Sequence, residues 1–120
     1  MTVILWILNI VLALVFLASG LFKATQPTDV LVARGLKWAA GFRPSLVTGI
    51  GLVEVVGAIG LFLPKLTGLA PVLTPLASVG LLATMICAIV LHQRRRESYL
   101  PALVLAVLCA ISAVLGFILI

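Results

Sequence analysis

The sequence predicts an all-α membrane protein: a bundle of four transmembrane helices with a short interfacial helix between the first two. Two observations predict it. Apolar residues make up 64% of the chain and charged residues 9%, against about 25% charged in an ordinary soluble domain. Four apolar runs, residues 3–22, 46–63, 69–91 and 100–120, each come close to the roughly 20 residues that cross a bilayer as a helix. Barrel strands need only about 10 residues and alternate in polarity, and these runs do not alternate. A helix also satisfies its own backbone polar groups, which lipid cannot do. The chain is therefore expected to form a single transmembrane domain, residues 1–120.

The first run is broken only by Asn9, Ser19 and Gly20. It is expected to be a retained span rather than a signal peptide. No basic segment precedes it, it exceeds a typical signal core, and no clear small-x-small cleavage site follows. Gln26-Pro27-Thr28 then breaks the chain, and Thr28 or Asp29 is placed to cap a short helix running to about Ala40. Leu31, Gly35, Trp38 and Phe42 recur at helical spacing, with Arg34 and Lys37 on another face. That is the pattern of an interfacial helix with Trp38 at headgroup depth. Gly41 is positioned to end it and Pro44 to open the second span. Pro64 to Gly68 reads as a tight turn. Pro71 and Pro75 open the third span, and Pro75 is expected to bend it. Ser98 is placed to cap the fourth span, with Tyr99 at the interface. Short connections make neighbouring helices antiparallel.

Charge orients the bundle. The connections between the first and second and between the third and fourth spans carry Lys23, Arg34, Lys37, Arg43, Arg94, Arg95 and Arg96. The side holding the termini carries Lys65 alone. By the positive-inside bias, loops 23–45 and 92–98 are cytoplasmic and both termini lie outside a plasma (bacterial inner) membrane. The net charge of +5 is then a topology signal. Arg94 to Arg96 fits a loop beside anionic headgroups, and no nucleic-acid partner is expected. Cys87 and Cys109 fall at different depths and lack CxxC spacing, which leaves them as small core residues rather than a disulfide or dithiol centre.

Glu54 carries the most information. It lies near the middle of its run, where an acid costs at least about 2.5–3.5 kcal/mol, so it should face the bundle and find a partner. Gly51, Gly57 and Ala58 lie within about 60° of it on a helical wheel, a small-residue face suited to close contact. Lys23, ending the first span, can lay its stem on apolar surface and bring its ammonium to a polar partner. His92, ending the third span, can join with Gln93. Two readings stay open. One is an ion pair that fixes helix register. The other is a polar pocket in the cytoplasmic half, holding a lipophilic ligand with a polar head, such as a quinone, or relaying protons. A Glu54 facing a second subunit is a further option, and helices apolar all round leave surface for a homodimer. Asn9 suits a helix–helix hydrogen bond.

Ser19-Gly20-Leu21-Phe22-Lys23, Gly51-Leu52-Val53-Glu54-Val55-Val56-Gly57 and His92, in this order and on these spans, resemble the DoxX and DoxX-like family of small four-helix membrane proteins. The chain length and long first connection agree. The resemblance implies a role beside redox chemistry, since some members are named as quinone-linked oxidoreductase subunits, including the thiosulfate:quinone type. Others are implicated in oxidative-stress complexes, and a eukaryotic relative assists receptor assembly. This chain has no haem ligand pair, CxxC or nucleotide motif, and no metal is expected. The implied role is an accessory subunit, with a bound quinone or a membrane or redox protein as partner, rather than a self-sufficient enzyme. On this view Lys23, Glu54, His92, Gln93, Gly51 and Gly57 form the ligand site.

Two other functions compete. Small multidrug transporters share the length, four spans and an intramembrane Glu, but here the acid is in the second span rather than the first. The one-sided charge also argues against a dual topology. A chaperone-like or structural partner of another membrane protein would use Glu54 for stability alone.

Overall fold

The structure, a computed structural model, describes residues 2–68, 70 and 72–119, with Lys65 described by its backbone only. Helices α1 (Thr2–Thr25), α3 (Pro44–Gly60), α5 (Leu73–Arg94) and α6 (Leu100–Ile118) form the body. Between them lie α2 (Thr28–Ala33), a 3-10 turn at Lys37–Gly41, and α4 (Leu63–Thr67). Among the described residues there is no strand. Three helices, α1, α5 and α6, are long and apolar enough to cross a membrane. The second expected span is shorter than the sequence suggests: α3 has 17 residues, about 26 Å at about 1.5 Å per residue.

Several local expectations change. The helix expected from Thr28 to about Ala40 is two pieces. It stops because Gly35, at φ 104°, takes a left-handed conformation closed to most side chains. The Leu36 N–H then donates to the Leu31 carbonyl at 2.9 Å and the Gly35 N–H to Val32 at 3.1 Å, a Schellman closure. Neither Thr28 nor Asp29 caps α2; Pro27 occupies the cap position without a side-chain bond. The turn expected at Pro64–Gly68 is one turn of helix, α4. Pro75 falls in the first turn of α5, where its missing N–H has no intrahelical partner to lose; this removes the reason to expect a bend. Ser98 reaches the Leu100 N–H only at 3.5 Å, while Tyr99 holds the cap position. Leu69, Pro71 and the Lys65 side chain lie outside the described residues.

The body is built as two pairs: α1 packs along α3, and α5 along α6, with slighter contact between pairs. The buried stripe of α3 is Val47, Gly51, Glu54 and Ala58, the three–four spacing of one helix face. That of α6 is Ala102, Ala106, Cys109, Ser112, Ala113 and Gly116, small residues that let backbones approach. The outward faces remain apolar, with Val3, Ile7, Val56, Leu100 and Ile118 among the exposed side chains. Helices apolar on every face suit a lipid surround.

A buried polar chain ties the pairs together. Ser78 Oγ lies 2.8 Å from Ser112 Oγ, Ser112 donates to Asn9 Oδ1 at 2.5 Å, and Asn9 Nδ2 donates to the Leu61 carbonyl at 3.2 Å. Leu61 ends α3, where carbonyls lack intrahelical donors, so Asn9 satisfies one. Ser112→Ala is expected to cost about 0.5–2 kcal/mol in reversible denaturation in mixed micelles, because it leaves Asn9 Oδ1 without its donor.

Candidate functional site

Glu54 sits at the contact of α1 and α3, and glycine sets how closely they meet. A Cβ on Gly20 would lie 2.6 Å from the Gly51 carbonyl oxygen, and one on Gly51 would lie 2.6 Å from the Gly20 oxygen. Each helix therefore presents bare backbone to the other. The helices run antiparallel: Ala24 meets Gly51 while Asn9 meets Leu61. Helical side chains lean toward their own N-terminus, so Lys23 and Glu54 lean toward one another from opposite directions. Lys23 Nζ donates to Glu54 Oε1 at 2.5 Å, with the side chains 14% and 1% exposed.

The 3-10 turn roofs this pair. Trp38 is buried with Leu31, Ala39 and Val47. Its ring centre lies 5.7 Å from Lys23 Nζ, within cation–π reach, and its edge meets Phe42 at 5.9 Å. Gly35 makes this possible by turning the chain back over α1.

Beside the pair lies a cavity of about 680 Å³ between α3 and α5, within the usual range for small-molecule sites. Lys23, Glu54 and His92 all contribute to its wall, with Ile50, Val53, Met85, Ala88 and Leu91 as its apolar lining and Trp38 and Phe42 from the turn. Two polar atoms here are buried without a hydrogen-bond partner: Glu54 Oε2 and His92 Nδ1. The nearest acid to His92 Nδ1 is Glu97 Oε1 at 3.9 Å, beyond hydrogen-bond range.

Of the sequence candidates, the structure brings Lys23, Glu54 and His92 to one cavity. Gln93 is exposed and is not part of the wall, since it lies one residue, about 100°, around the helix from His92. Gly51 and Gly57 face neighbouring helices instead, Gly51 against Gly20 and Gly57 against Leu81. Cys87, read from the sequence as a core residue, is exposed and lines the cavity; Cys109 is buried, and both are free thiols. Among the described residues no group of His, Cys, Asp and Glu could hold a metal.

Glu97 was not singled out from the sequence. The last turn of α5 closes with the Glu97 N–H on the His92 carbonyl at 2.9 Å and the Arg96 N–H on Gln93 at 3.1 Å. Arg96 takes the left-handed position at φ 56°, normally given to Gly. This turn folds Glu97 back toward the imidazole, where Arg95 Nε donates to Glu97 Oε1 at 2.6 Å.

The model for the DoxX-like family matches residues 7–115. No curated protein and no solved structure matches the chain.

Proposed function

The chain belongs to the DoxX-like family, and from that premise we propose that it is an accessory membrane subunit whose cavity takes a quinone-like or other lipophilic ligand. The observation that carries this reading is a cavity of about 680 Å³ walled by Lys23, Glu54 and His92. Its apolar lining suits a ring or tail, and the three polar groups give it a fixed polar end. The four long helices, α3 included, are taken as spans of a single membrane domain. The basic connections then face the cytoplasm and both termini face outward. The piece formed by α2 and the 3-10 turn lies at the cytoplasmic interface, with the cavity in the cytoplasmic half beneath it.

Cys87 offers a direct test, since it is an exposed thiol on the cavity wall and Cys109 is buried. Maleimide labelling of Cys87 is expected to slow when the protein, in lipid nanodiscs, is given a decyl-benzoquinone in oxidised or reduced form. Glu54→Gln should weaken the protection given by the reduced form by roughly tenfold, the loss of one charge-assisted contact. Equal protection of wild type and variant by the reduced form takes Glu54 out of the site, and no protection in either protein counts against a ligand site.

The 2.5 Å contact between Lys23 and Glu54 favours a second reading, in which the pair serves only stability in a chaperone-like or structural partner of another membrane protein. The same contact weighs against a proton-coupled multidrug transporter, because a fixed lysine already occupies the acid that would exchange protons for drug.

A further inference from the structure

The cavity's polar end has a chemical bias. Glu54 is 1% exposed, yet only one of its oxygens is used: Oε1 takes the Lys23 proton while Oε2 has no partner. A buried acceptor left without a donor is costly, and native interiors rarely leave one so. A carboxylate in an ion pair can only accept. Lys23 offsets its charge, so the site does not demand a cation, and an anionic head would meet the bare oxygen unfavourably. The group that suits a buried acceptor-only oxygen of this kind is a neutral donor, an O–H. The surroundings ask for a ring: Trp38 and Phe42 stand on the wall edge to face, with aliphatic side chains behind them.

We infer that the cavity selects a neutral, hydroxyl-bearing aromatic amphiphile, a phenol or hydroquinone with an alkyl tail, whose O–H donates to Glu54 Oε2. This rests on the reading of the cavity as a ligand site and adds the direction of its hydrogen bond. A tail-bearing quinone, which only accepts, binds more weakly than its reduced form. His92, whose Nδ1 is also unpartnered, stands on the same wall to meet a second polar group on the ring.

A matched pair of probes separates the two claims. Para-octylphenol and para-octylanisole share ring and tail, but methylation removes the donor and leaves the ether oxygen. Each is compared at equal concentration in the bilayer, by protection of Cys87 from maleimide in nanodiscs. The phenol is expected to half-protect at a concentration roughly ten- to a hundredfold lower than the anisole. In Glu54→Gln an amide that can donate replaces the acceptor pair, and the gap should shrink toward parity. Equal protection by the two probes in the wild-type protein, or stronger protection by the anisole, overturns the donor inference while leaving the cavity a ligand site. No protection by either probe, nor by the decyl-benzoquinone, overturns both. The wild-type comparison needs no variant, so a Glu54→Gln protein that fails to fold does not spare the inference.

Discussion

Lys23→Met is expected to destabilise the protein by about 3–5 kcal/mol, the cost of leaving one partner of a buried ion pair alone. Glu54 has nowhere to go: it is 1% exposed, in the middle of a stripe packed on α1. Glu54→Gln should cost less, because Lys23 ends α1, is 14% exposed on its side chain and can turn its ammonium toward water. The double variant Lys23→Met with Glu54→Gln should recover much of the larger loss, since the buried carboxylate is gone with its partner. Reversible denaturation in mixed micelles, read by circular dichroism, checks all four proteins. Additive losses would mean that the two side chains do not act as a pair. Full recovery together with unchanged ligand protection at Cys87 would favour the purely structural reading.

The second large effect is expected at Gly51. Its missing side chain faces the Gly20 carbonyl, so even Gly51→Ala forces two backbones apart. That overpacking should cost about 1–3 kcal/mol, and Gly51→Leu should abolish the α1–α3 contact and the ion pair with it. Gly49→Ala, two residues away in the same helix, is the control. Nothing lies within 4 Å of a Cβ there, and alanine is worth up to about 1 kcal/mol over glycine in a helix. Opposite signs for the two alanines, measured by the same denaturation, are the expected result. Losses of equal size would show that helix propensity, not the close approach, governs this face.

The helices and the central pair were legible because both announce themselves by cost. Long apolar runs cannot remain in water, and an acid inside one cannot remain unpartnered, so Glu54 pointed to Lys23 across 31 residues. Gly51 and Gly57 were legible as a small-residue face, but that signal does not separate glycine that admits a ligand from glycine that admits a helix. Here it admits helices. Ser78 and Ser112 passed unnoticed because a lone hydroxyl barely dents hydropathy, and only the fold shows that they face each other and Asn9. The direction of the Trp38 ring was not legible, because the aromatic-belt rule speaks to depth alone, whereas the break at Gly35 folds this ring over Lys23. Glu97 was hidden by its neighbours, since an acid after three arginines looks like part of a solvated loop. Its place near His92 comes from a helix ending that only the backbone reveals.

The two-pair construction also bears on how the protein is made. Lys23 and Glu54 both belong to the α1–α3 pair, as do Asn9 and the Leu61 carbonyl it caps. Both ends of each of these bonds lie in the first 61 residues of the chain and leave the ribosome before α6 does. The acid can thus be neutralised inside the first hairpin before α6 has emerged. The later hairpin carries Ser78 beside Ser112, and Ser112 hydrogen-bonds to Asn9 of the earlier one across the seam. The cavity lies at the seam between the two hairpins. It can stay unfilled without stranding a charge that the nascent chain had to carry into the bilayer alone.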